Sequence, residues 1–249
     1  MILNQLLKRR LRMWRRAPAY FVGKFHDRVF GVDESWLSKP REAFPVGSWQ
    51  WLALTETTYG GFNIGVASKA NRGGDRMSPF FHRYGVIYEE FLESLLPRRE
   101  QSLTLVEVGI LNGSGLAIWC DLFPNARVIG FDIDLRNFAA NRAELEAAGA
   151  FSANRPELYE FDQLDLGRSA LILKNVLGGT KVDVAIDDGC HSIESIKTTF
   201  ENFMPHMAER FVYFIEDNFD TYDVLAPVNR HLRWFQRGEM TVSTRPFRP

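Results

Sequence analysis

The chain of 249 residues is 45% hydrophobic and 24% charged, ordinary globular composition with enough length for one large domain and a real core. A formal net charge of −1 argues against nucleic acid as the main partner. Only two cysteines occur, Cys120 and Cys190, without CxxC spacing, which excludes a disulfide framework and a thiolate zinc site and fits a reducing, cytoplasmic compartment.

The first 45 residues read as a basic arm. In MILNQLLKRRLRMWRR, Leu3, Leu6, Leu7, Leu11 and Trp14 recur at helical spacing among Lys8, Arg9, Arg10, Arg12, Arg15 and Arg16. Such a helix suits an anionic membrane surface or an acidic partner; the plainer reading is a solvated helix that docks on its own domain or on a second subunit. No apolar run follows it, so it does not read as a secretory signal, and no stretch reaches the ~20 apolar residues that span a bilayer. KPREAFPVG then reads as a linker. Residues 46–100 mix aromatics with glycines and end in YGVIYEEFLESLL, whose Val86, Ile87, Phe91, Leu92, Leu95 and Leu96 form a helical stripe stopped by Pro97.

From residue 103 the pattern changes. LTLVEVGI, ARVIGFDID, ELYEFDQLD, KVDVAIDD and RFVYFIED read as strands. GSGLAIWCDLF, LRNFAANRAELEAAG, RSALILKNVLG and SIESIKTTFENFMPHM read as the helices between them. This alternation predicts an α/β fold, a mostly parallel sheet with helices on both faces, occupying residues 101–249 behind a pre-sheet lid and helix at 46–100. After residue 218 the pattern gives one helix, YDVLAPVNRHLRWF, and one strand-like tail, EMTVSTRPF.

Ligands of open parallel sheets bind beyond the carboxyl ends of the strands, and the unusual residues of this chain sit there. The first strand end carries Glu107 ahead of Gly109, Gly113 and Gly115, with Asn112 or Ser114 as the cap of the next helix. The spacing GxxxGxG is not the dinucleotide GxGxxG. Asp132 ends the second strand about 20 residues on, where an acid can take both ribose hydroxyls. Asp162 and Gln163 follow at the third, placed to meet an adenine edge. Together these imply an adenosine ligand that is not a dinucleotide. The fourth and fifth strand ends carry Asp187, Asp188, His191, Glu216 and Asp217. Converging carboxylates repel one another, and a hard divalent cation, Mg²⁺ or Mn²⁺, would cancel that cost.

The set EVGILNGSG, GFDID, DQLD, IDDGCHSIES and FIEDN resembles class I S-adenosylmethionine-dependent methyltransferases, and more narrowly the metal-dependent sugar O-methyltransferases of macrolide tailoring and their rhamnosyl-acting relatives. The glycine motif is generic to the class; the DDGxH…EDN pair is specific to the subgroup. The resemblance implies a Rossmann-like methyltransferase fold, with Asp188, Glu216 and Asp217 holding the metal and His191 as general base beside Asp188. It places Glu107, Gly109 and Gly113 along the cofactor, Asp132 on its ribose, and Asp162 with Gln163 near its adenine. Asn112, Ser114 and Asp187 complete that cofactor-binding set. Asp75, His82, Tyr84 and Tyr88 fit the family's pre-sheet element, but Arg76 stands where a lysine is expected, Phe161 replaces a glycine and Cys190 a serine. The family's fold also closes with an antiparallel strand pair. Only one strand is evident here, so the sheet edge or a partner chain is expected to compensate.

The function this implies is methyl transfer from S-adenosylmethionine to a hydroxyl of a sugar or glycoconjugate. A cation lowers the hydroxyl's pKa, and an imidazole, ordinarily near pKa ~6.5, takes its proton. Two rivals share the scaffold. One is methylation of an aromatic diol, suggested by Trp49, Trp51, Tyr59 and Phe62, whose plainer reading is core or lid packing. The other is a cephalosporin-hydroxylase-like protein, whose Fe(II) would call for a second histidine, His206 being the nearest. A third reading makes the chain a non-catalytic binding or scaffold protein that works through its basic arm; separately, the short tail and that arm point to self-association.

Overall fold

The structure is a computed structural model and describes residues 34–60, 76–77 and 82–245. The expected basic helix over residues 1–16, together with Phe62 and Asp75, lies outside the described residues.

A helix absent from the sequence reading opens the described part: α1 (Trp49–Gly60). Ser48 starts it, its hydroxyl accepting from the Trp51 amide at 3.3 Å. The helix α2 (Tyr84–Leu92) follows, shorter than its apolar stripe, with Pro97 inside a later 3₁₀ turn. Strands and helices then alternate as the periodicity predicts. They run β1 (Thr104–Val108), α3 (Ser114–Leu122), β2 (Arg127–Asp132), α4 (Arg136–Ala147), β3 (Glu157–Glu160), α5 (Leu166–Leu177), β4 (Val182–Asp187), α6 (Ile193–Phe203) and β5 (Met207–Ile215). The capping is local chemistry. Asp165 accepts from the Arg168 amide at the start of α5, Gly178 ends that helix in the left-handed region, and Ser192 accepts from the Ser195 amide to start α6.

The chain ends in α7 (Thr221–Leu225), β6 (Arg233–Arg237) and β7 (Met240–Thr244). Here the sequence reading is corrected. RHLRWF does not continue a helix: α7 is five residues long, and Arg233–Arg237 pairs antiparallel with Met240–Thr244 through a tight turn at Gly238, φ +65°. The sheet therefore closes with its own strand pair, in the order β3-β2-β1-β4-β5-β7-β6, with no partner chain needed to supply the second strand.

All neighbours from β3 to β5 are parallel. Parallel strands are covered on both faces, so β1 is buried at every position. Period-two alternation divides the strands between two cores. Leu105, Val128, Val184, Ile186 and Phe214 pack with Trp119, Tyr88 and Leu52 under α1–α4. Val106, Ile129, Phe131, Ala185 and Tyr213 pack with Leu173, Phe200 and Phe203 under α5–α7. Each such fully buried side chain contributes about 1.5–3 kcal/mol. Strand order reverses between β1 and β4, where Val108 pairs with Asp187, and Asp187 pairs in turn with Ile215 of β5. That reversal is where a doubly wound sheet opens a crevice.

Candidate active site at the strand tips

The tip of β1 is shaped by close backbone approach. Gly109 has φ +86°, and a Cβ there would lie 2.1 Å from the Asp188 carbonyl oxygen. Only glycine permits both. Gly113, φ +84°, and not Asn112 or Ser114, occupies the cap position of α3, and glycine supplies no side-chain cap there. Across the turn, Oδ2 of Asp132 accepts from the amides of Ile110 and Leu111 at 2.9 and 3.0 Å, and Oδ1 accepts from the Asp134 amide at 3.1 Å. Asp132 thus fixes the glycine turn as well as ending β2. Three apolar side chains in the loops after β1, β2 and β3 are exposed: Leu111 (51%), Ile133 (70%) and Leu164 (53%). Sequence reasoning passed over them. Their signal was an apolar residue within a few positions of each strand-end acid.

Asp162 accepts from the Leu164 amide at 2.9 Å and remains partly exposed. Gln163 behaves otherwise. It is buried, its amide donates to Asp187 (2.7 Å) and Thr199 (2.8 Å), and its Oε1 accepts from the Cys190 amide (2.7 Å). Both of its N–H groups are spent joining β4 to α6, so its evident work is to hold the Asp187–Cys190 turn. Burial pushes Asp187 up to about 7, against the pull of the Gln163 and Gly189 donors.

The tips of β4 and β5 do converge, and a guanidinium lies between them. Nε of Arg76 donates to both oxygens of Glu216 at 3.0 Å, and Nη2 donates to its Oε1 at 2.9 Å. Nη1 donates to Glu107 Oε1 at 2.6 Å, and Nη2 stands 3.5 Å from Asp188 Oδ2. Tyr88 also donates to Glu216. Burial raises the Glu107 carboxyl, and Arg76 opposes that shift. The side chains of Glu107 and Glu216 are each 1% exposed, and that of Arg76 is 12% exposed. Trp119 and Tyr88 present rings 5.8 and 6.0 Å from the guanidinium carbon.

On the outer side of this network, ligand atoms of Asp188, His191 and Asp217 all lie within 4.8 Å of one another. His191 Nε2 is 3.9 Å from Asp188 Oδ1. Tyr84 donates to Asp217. His191 has φ +57° and Asp217 φ +53°, unusual for residues with side chains. Asn218 secures the first of these, donating to the His191 carbonyl at 2.8 Å while its Oδ1 accepts from the Asp220 and Thr221 amides. The sequence reading quoted Asn218 and gave it no role. His82, not His206, is the second histidine near the acids, with Nδ1 3.5 Å from Asp217 Oδ1 and 3.7 Å from Glu239 Oε2. His206 sits in the 3₁₀ turn after α6.

The chain is similar to known proteins in sequence and in fold. No protein-family model matches the chain. It is similar to L-olivosyl-oleandolide 3-O-methyltransferase of Streptomyces antibioticus, 28% identical over 131 residues, covering 50% of this chain and 30% of that protein. It is also similar to 8-demethyl-8-alpha-L-rhamnosyl tetracenomycin-C 2'-O-methyltransferase of Streptomyces olivaceus, 28% identical over 162 residues, covering 61% and 37% respectively. The chain therefore spans about a third of the length of the curated relatives it matches. Among solved structures, the MycE methyltransferase of the mycinamycin biosynthetic pathway, in complex with Mg, SAH and mycinamycin VI, matches with a TM-score of 0.51 at 17% identity, covering 68% of this chain and 52% of that one. The chain has the Rossmann-like fold of class I methyltransferases and resembles their macrolide and sugar O-methyltransferase subgroup.

Proposed function

We propose that this chain is an S-adenosylmethionine-dependent O-methyltransferase that uses a divalent cation, Mg²⁺ or Mn²⁺, and acts on a hydroxyl of a sugar or glycoconjugate. The observation that carries the reading is the joint placement, at one sheet crevice, of a glycine turn with Asp132 and of the Asp188–His191–Asp217 triad. The relatives named above supply the substrate class.

The donor set fits both absent groups. For the cofactor, Asp132 retains acceptor capacity toward a ribose, α3 begins without a side-chain cap, and Leu111, Ile133 and Leu164 offer apolar surface to an adenine. For the cation, the neighbouring carboxylates of Asp188 and Asp217, with no thiolate among them, suit Mg²⁺ or Mn²⁺, and His191 stands beside them as a base. When bound, the cofactor supplies an electrophilic methyl group, and the cation supplies charge that favours ionisation of an acceptor hydroxyl.

The chain's own residues do the rest. Asp188 and Asp217 would hold the cation, whose charge would favour an acceptor hydroxyl with a second oxygen next to it. His191, whose Nε2 points toward Asp188, accepts the hydroxyl proton. Tyr84 fixes Asp217, and Asn218 fixes the His191 backbone. Residues 101–249 would bind the donor, and residues 46–100 would cover it. Collinear positioning of oxygen, methyl carbon and sulfur supplies most of the acceleration.

The test is transfer of labelled methyl from S-adenosylmethionine to a panel of glycosides, glycolipids and catechols. The reading expects label on a glycoside or glycolipid, lost when divalent ions are chelated. Label confined to catechols would move the substrate to aromatic diols. Transfer undiminished by chelation would remove the cation.

A further inference from the structure

We propose that in this chain Arg76 is the resident counter-ion of Glu216, so that Glu216 is withheld from the cation and the carboxylate ligands are Asp188 and Asp217 alone. The inference rests on the cation-dependent reading above and departs from the three-carboxylate set that the sequence motifs imply.

Glu216 is held on the Arg76 side. Its Oε1 accepts from Nε and Nη2 of Arg76 at 3.0 and 2.9 Å and from Tyr88, and its Oε2 accepts from the same Nε at 3.0 Å. A planar fork on a carboxylate is the most geometry-specific ion pair that side chains make, and arginine stays charged at any pH a protein survives. Turning Glu216 outward would break the Arg76 fork where both partners are nearly excluded from water, leaving the guanidinium only Glu107 and the more distant Asp188. The same cation already holds Glu107 and is flanked by the Trp119 and Tyr88 rings, so it has no obvious alternative position. Lysine, with a compact ammonium and no fork, could not fill these contacts together.

Asp188 marks the boundary between the two zones. Its Oδ2 faces Arg76 at 3.5 Å, and its Oδ1 faces His191 at 3.9 Å. A divalent ion on the Arg76 side would meet a fixed positive charge. On the His191 side it meets Oδ1 of Asp188 and the carboxylate of Asp217, within the 4.8 Å grouping that leaves Glu216 out. Two protein carboxylates would leave about four of the six octahedral positions of Mg²⁺ for water or a chelating diol.

The experiment is Mn²⁺ binding to the full chain, read by electron paramagnetic resonance for wild type, Asp188→Asn, Asp217→Asn and Glu216→Gln. The expected result is a loss of at least ~30-fold in affinity for each aspartate variant and less than ~3-fold for Glu216→Gln. A loss for Glu216→Gln equal to that of the aspartates overturns the proposal, as does an absence of Mn²⁺ binding to wild type. Since Glu216→Gln could fail to fold, the wild-type protein crystallised with Mn²⁺ gives a second reading. An anomalous peak bonded to Asp188 and Asp217, with Glu216 still on Arg76, supports the proposal, and a Glu216 oxygen in the coordination shell overturns it. Calorimetry of S-adenosylmethionine on the same samples reads the methyl-donor proposal separately. Donor binding with a Glu216-bound ion would sink only the ligand assignment.

Discussion

His191 is held in a left-handed conformation by a single side chain from the neighbouring strand tip. Because Asn218 donates to its carbonyl, the imidazole's placement depends on a residue that need not touch substrate. Under the proposed mechanism, His191→Ala should cost ~10²–10⁴-fold in kcat with an unchanged melting temperature, checked by turnover and calorimetric scans. Asn218→Ala should lower kcat roughly 10- to 100-fold through misplacement, while donor affinity measured by calorimetry stays level. Gly109→Ala makes a different kind of prediction. Its Cβ would fall 2.1 Å from the Asp188 carbonyl at φ +86°, so a loss of at least ~3 kcal/mol in denaturant unfolding is expected. At this scale the sequence was informative about which acids and glycines the fold brings to the strand tips, because strand ends are legible from where apolar runs stop. It was silent on how they pair. Nothing local in DRMSPF tells that Arg76 reaches Glu216, 140 positions away, and only folding supplies that contact.

Among the elements, the five parallel strands were readable because continuous apolar runs alternate with helical stripes. Two elements escaped for opposite reasons. Helix α1 is buried over most of its surface, with Trp51, Leu52, Ala53, Thr55, Glu56 and Tyr59 all inside, so no polar face marks its period. Strand β6 is short, half exposed and bounded by Arg233 and Arg237, and the leucines before it continued a helical spacing. Strand β5 is central to the closed sheet. Phe214, fully buried against Tyr88 at 4.5 Å between ring centroids, should cost about 3–5 kcal/mol as Phe214→Ala in equilibrium unfolding. At the other end of β4, Asp183 accepts from the Thr104 amide at 2.9 Å, and burial raises its pKa. A raised carboxyl binds a proton more tightly folded than unfolded, so its native state loses stability as pH climbs from the unfolded value near ~3.9. Asp183→Asn keeps an acceptor without the charge. Its stability relative to wild type should rise as pH climbs above the unfolded value near ~3.9, read from unfolding curves at each pH.

For the molecule as a whole, the sheet order places the glycine turn and Asp132 at β1–β2 and the acidic, imidazole-bearing cluster at β4–β5, meeting at the switch point between β1 and β4. The antiparallel β7 and β6 seal the far edge. Arg237 of β6 donates to Glu90 of α2 at 2.6 and 3.0 Å, joining that edge to the helix that carries Tyr84 and Tyr88. The central claim is that these two halves form one site for S-adenosylmethionine beside a divalent ion. Isothermal titration calorimetry of the full chain with S-adenosylmethionine, with and without Mg²⁺ and with Asp132→Ala as control, tests it most directly. The account predicts saturable one-to-one binding in the ~1 μM to ~1 mM range, weakened at least ~10-fold by the control substitution. No detectable binding under any of these conditions would contradict it.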